Sequence, residues 1–103
     1  MDNEQGLTLL KEKIAHIETL LTRIDREALR QWREEILIIL DSLIDQGSKY
    51  YSNFEKIRYT SAVFAMGDIE GNLEKDNKSY KDGLILARAS LSAIVFGLEK
   101  GLF

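Results

Sequence analysis

The sequence predicts an all-α protein, arranged as an antiparallel up-down four-helix bundle. Three observations carry that expectation. Apolar residues recur at spacings of three and four in four separate segments, the period that places them on one side of a helix. The chain contains no proline, so nothing in it breaks a helix outright. Residue types that cap helices stand at the ends of the periodic segments.

In the first segment, expected over residues 7–23, Leu7, Leu10, Ile14, Ile17, Leu21 and Ile24 form a narrow coiled-coil-like seam. The second, expected over 26–46, carries Leu29, Trp32, Ile36, Ile39 and Leu43 in the same spacing but slipped by one residue. The slip requires a break, and Asp25 supplies it as an N-cap, with Ile24 and Leu29 spaced for a hydrophobic staple. One long bent helix through 7–46 is the alternative. Gly47 and Ser48 suit the end of the second helix.

Ser52-Asn53-Phe54-Glu55 has the pattern of a capping box and is expected to open a third helix over 53–74. Lys75-Asp76-Asn77-Lys78 is expected to be a polar turn. Ser79-Tyr80-Lys81-Asp82 offers a second capping box, for a fourth helix over 80–100 with Tyr80, Leu84, Ala87, Leu91, Ile94 and Leu98 on its inner side. Four helices of roughly 25–31 Å with short connections favour antiparallel neighbours.

The 103 residues suit one domain, with 45% hydrophobic and 30% charged residues and enough length to bury a core without metal or disulfides. The absence of cysteine excludes disulfides, thiolate metal sites and thiol nucleophiles. The start Met1-Asp2-Asn3-Glu4-Gln5-Gly6 is acidic where a secretory signal would be basic, so a cytoplasmic location is expected. A net charge of −3 argues against nucleic acid as a partner. The longest nearly uncharged stretch, Leu84 to Leu98, contains Arg88 and is shorter than the ~20 residues of a membrane span, so no membrane association is expected.

Candidate chemistry is sparse. His16, the only histidine, falls opposite the Ile14/Ile17 seam and has no serine and carboxylate spaced around it as a triad would need. No acid stands three residues from another acid or a histidine, as an inward-facing di-metal bundle would require, and Asp41/Asp45 and Glu70/Glu74 fall on outward faces. The stretch Asp76 to Gly83 puts lysine and tyrosine where a calcium loop needs oxygen ligands. Arg23, Arg26, Arg30 and Arg33 form a basic row, with Glu27 and Glu34 spaced to pair with it. No cofactor, metal or catalytic residue is therefore expected.

Two features remain. Asp68 shares a helical line with Ser61 and Asn72 inside the apolar arc of Ile57, Phe64, Ala65 and Ile69, and a buried carboxylate needs a partner. Arg33 intrudes into the apolar arc of the second helix, level with Asp68 in an antiparallel hairpin turning near Tyr50. An internal Arg33–Asp68 ion pair follows; the functional alternative is a ligand-binding or catalytic polar site of Arg33, Ser61, Asp68 and Asn72, with Tyr59 nearby. The second feature is surplus apolar surface. Tyr59 to Gly67 is uncharged, and the fourth helix carries two further lines, Leu86, Ser90, Ala93, Gly97 and Ile85, Ala89, Phe96. More apolar face than one bundle buries points to a non-enzymatic protein acting through protein–protein interaction, as regulators, adaptors and immunity-type proteins do, with a homodimer as the default form.

Overall fold

A computed structural model describes residues 2–59 and 69–103, with side chains described outside 69–74. Within it the chain forms four helices, α1 (Asn3–Thr22), α2 (Arg26–Leu43), α3 (Lys49–Glu55) and α4 (Ile69–Glu99), and no strand among the described residues. The all-α expectation holds; the expected match in helix length does not, since α3 has 7 residues and α4 has 31.

α1 starts earlier than its apolar seam. Asp2 and Gln5 form a reciprocal capping box, with the Gln5 N–H donating to Asp2 Oδ1 at 2.8 Å. Asp25 opens α2 as expected, its carboxylate accepting from the Ala28 N–H at 3.0 Å. α2 ends at Leu43, three residues short of the expectation. Asp45 then holds a tight turn, accepting from Gly47 N–H at 2.9 Å through its side chain and from Ser48 N–H through its carbonyl.

Two boundaries are corrected. The third helix begins after Ser48, whose hydroxyl accepts from the Tyr50 N–H, so Ser52 to Glu55 is its last turn and not its cap. It stops at Glu55, and the residues that follow make tertiary contacts. Tyr59 is buried, its ring lies against Gly83, and its carbonyl accepts from Arg26 at 3.1 Å. A Cβ on Gly83 would stand 2.5 Å from the Tyr59 ring and 2.7 Å from the Arg58 carbonyl oxygen, so the close crossing of this segment over α4 depends on glycine. The second correction concerns Lys75 to Lys78, which is the interior of α4 and not a turn. Charged residues do not break helices; Lys78 pairs with Asp82 one turn on at 2.7 Å, and Asp76 turns inward.

α1 packs against both α2 and α4, and α3 packs against α4 and α2. α2 returns along α1, because Gly6 abuts Leu43 while Lys13 pairs with Glu35 at 3.0 Å. α4 also runs opposite to α1: Tyr80 reaches the end of α1 at Leu20, Arg88 pairs with Glu18 at 2.7 Å, and Glu99 lies 3.5 Å from Lys11. The core draws on the expected seams, with Leu20 and Leu40 added from outside them and Ile24 left exposed. Leu10, Ile17, Ile36, Leu40, Phe54, Tyr80, Leu84, Ala87, Leu91 and Ile94 are fully buried. Trp32 packs against Phe54 with ring centroids 6.3 Å apart, and its indole N–H donates to the Lys13 carbonyl at 3.0 Å.

Beyond Glu99 the chain reverses through Gly101, whose φ of 67° suits glycine. Leu102 N–H donates to Gly97 O at 2.8 Å and Gly101 N–H to Leu98 O at 3.3 Å, the pairing of a Schellman turn. The reversal folds Phe103 over Gly97 and sets its ring edge-on to Tyr50, 5.2 Å between centroids.

Candidate functional site

Of the polar residues expected to form a site, Ser61 and Asp68 lie outside the described residues, and Asn72 is described only as helical backbone in α4. The Arg33–Asp68 pair therefore lies outside the described residues too. Arg33 itself is half-buried between α2 and the end of α3. Its guanidinium donates to the Glu55 carbonyl at 3.0 Å and to Glu34 Oε1 at 3.3 Å.

Beside it stands Tyr59, whose hydroxyl is buried without a hydrogen-bond partner among the described residues. Burial pushes the Tyr59 phenol up to about 12, and the nearby Arg33 charge only partly offsets this. Burial, and then the Glu55 and Asp41 carboxylates, push Tyr51 upward as well. A raised phenol is stabilising below its unfolded value near 10 and loses that contribution as pH rises to about 12. Stability should therefore fall across that interval, and Tyr59→Phe should flatten the fall. Because the hydroxyl has no partner among the described residues, Tyr59→Phe should also be neutral or slightly stabilising near pH 7. Urea unfolding at neutral and alkaline pH, read beside tyrosinate absorbance, checks both; a loss above about 1 kcal/mol at pH 7 would mean the hydroxyl makes a bond worth keeping.

A part-buried ion pair among the described residues joins Arg26 to Asp76. Arg26 also donates to the Asp76 carbonyl at 3.2 Å, and its guanidinium lies 5.3 Å from the centre of the Tyr80 ring. The sequence held a signal for it. Asp76 stands four residues before Tyr80, on the line that continues through Leu84, Ala87 and Leu91, and becomes visible as an inward residue once α4 is extended upstream. Of the rest of the arginine row, Arg30 meets Glu27 and not Glu34, Arg33 meets Glu34, and Arg23 joins no ion pair among the described residues.

The expected interaction lines on α4 are exposed, with one exception. Ile85, Leu86 and Phe96 keep 50%, 59% and 57% of their surface in solvent, which is high for large apolar side chains. Ala89 and Ala93 between them are exposed and Ser90 is half-buried. Gly97 is buried beneath Phe103. Leu102 and Phe103, themselves exposed, extend the apolar surface past the end of the helix. Charges within this stretch of α4 turn aside, as Arg88 and Glu99 reach across to α1. Two grooves border the face. Leu86 and Ser90 form one with Asn53, Lys56, Ile57 and Arg58, and Ala93 and Phe96 the other with Ser48, Tyr50 and Phe103.

Elsewhere the described residues offer little chemistry at the surface. His16 is exposed at a shallow groove with Lys13, Gln31 and Glu35. A hollow is bordered, among the described residues, by Asp2, Glu4, Gln5, Thr8 and Leu9. Among the described residues no three histidine or carboxylate groups are clustered as a metal ion would need, and no helix is long and apolar enough to cross a membrane. No family model matches the chain, and comparison with curated proteins and with solved structures returns no similar protein.

Proposed function

We propose that this chain is a non-enzymatic helical protein that acts by docking a protein on the outer face of α4. The observation that carries the reading is the run of solvent-exposed apolar residues from Ile85 to Phe96, continued by Leu102 and Phe103. Apolar surface left in water forgoes about 25 cal/mol per Å². A contiguous patch of that kind, with polar residues at its rim, is the usual mark of an interaction site. Its make-up supports the same reading: a large aromatic anchor, branched aliphatics beside it, and a floor of alanines that lets another backbone approach. In this proposal α1, α2 and α3 form the remainder of an up-down bundle whose task is to hold α4 rigid.

Phe96→Arg tests the proposal. A surface substitution should leave helicity and unfolding free energy within about 0.5 kcal/mol of the parent. It should at the same time abolish association, read by sedimentation of the purified protein and by capture of bound protein from the source cells. A variant that keeps the parent's assembly state and bound proteins would end the proposal. A small-ligand site at Arg33 and Tyr59 is the alternative, supported by a buried hydroxyl that has no partner among the described residues.

A further inference from the structure

The partner we infer for this face is a second copy of the chain, with its α4 laid antiparallel along α4 of the first. The inference rests on the reading that the outer face of α4 is a docking surface, and it names the occupant.

The face has the same character read in either direction from the level of Leu91. Ala89 and Ala93 stand two residues to either side, about 3 Å along the axis, and Ile85 and Leu86 on one side balance Phe96 on the other. In an antiparallel pair about a two-fold axis, each residue meets the one at equal distance on the opposite side of the centre. The alanines then lie at the axis, where their small side chains let the two helices approach closely. Phe96 of each copy reaches the level of Ile85 and Leu86 of the other, an aromatic ring against two branched aliphatics that are all exposed in the single chain.

Charge selects this occupant and this direction. The apolar run is bounded by Asp82 at one end and Lys100 at the other, nine residues either side of the centre and on the same line of the helix. Both are exposed, and Asp82 holds only a surface contact with Lys78. Antiparallel packing sets Asp82 of each copy beside Lys100 of the other, twice per dimer. Parallel packing would set Asp82 against Asp82 and Lys100 against Lys100, which is repulsive at both ends. A surface complementary to itself under a two-fold rotation is what an isologous dimer requires. One helix face is a small interface, so the dimer should dissociate in the micromolar range, roughly 1–100 µM.

Sedimentation equilibrium of the full chain across that range is the test, with Asp82→Lys, Lys100→Asp and the combined variant run beside the parent. The parent should reach twice the monomer mass. Each single reversal should weaken the dimer roughly tenfold, because one substitution creates two like-charge contacts. The combined variant, which restores opposite charges across the interface, should return to within about twofold of the parent. A parent that stays monomeric overturns the inference, as does a combined variant no stronger than the singles. Should the monomeric parent still capture another protein that Phe96→Arg loses, the docking reading stands and the second copy alone is wrong.

Discussion

Replacing Tyr80 with alanine should cost about 3–5 kcal/mol of folding free energy, the range for emptying a fully buried aromatic site. Domains of this size are commonly stable by about 5–15 kcal/mol, so the loss could consume most of the margin. The residue does more than fill space. Its hydroxyl donates to the Leu20 carbonyl at 3.0 Å and accepts from the Asp25 N–H at 3.2 Å. Leu20 is among the last residues of α1, whose carbonyls lack an intrahelical partner, and Asp25 is the N-cap of α2. One phenol on α4 thus satisfies both sides of the α1–α2 turn from inside the core. Tyr80→Phe isolates that contribution, since the ring stays and only the hydroxyl leaves; it should cost about 1–3 kcal/mol. Urea midpoints at unchanged slope would measure both variants. Equal stability of the phenylalanine variant and the parent would mean that water satisfies the turn.

What could be read before folding, and what could not, divides along the range of the interactions. The break at Asp25 was legible because a slipped seam and a strong N-cap residue coincide there, and both are local. The inner line of α4 from Tyr80 to Leu98 was legible for the same reason, and each of its residues is buried. Ser52 misled because Ser48 caps equally well four residues earlier, and local chemistry does not choose between two serines. After the early end of α3, Tyr59 meets Gly83 and Arg26 reaches the Tyr59 carbonyl, contacts with residues some 24 and 33 positions away. Lys75 to Lys78 resembles a turn because it is polar throughout, although none of those residues is a strong helix breaker. The outer face of α4 was visible as surplus on a helical wheel. Gly97 was not, because only the reversal at Gly101 brings Phe103 over it.

Asp76→Ala should be the second costly change. Removing one partner of a fully buried ion pair costs about 3–5 kcal/mol, mainly because the other charge is left desolvated. Here the Asp76 side chain is 11% exposed and that of Arg26 is 37% exposed, so water can partly resolvate the arginine and about 2–4 kcal/mol is expected. The pair matters beyond its own strength because Arg26 is the first residue of α2 and its guanidinium also holds the carbonyls of Asp76 and Tyr59. One planar fork therefore joins the start of α2, the upstream part of α4 and the segment that follows α3. A lysine has a single ammonium and cannot span those acceptors in the same geometry, so Arg26→Lys should recover little of what Arg26→Ala loses. The Arg26→Ala, Asp76→Ala double-mutant cycle should show a coupling of about 1–3 kcal/mol, and moderate salt should change it little because the carboxylate is shielded from solvent. Coupling below about 0.5 kcal/mol, the scale of independent sites, would mean that the two residues stabilise the fold separately and that the fork does not act as a clamp.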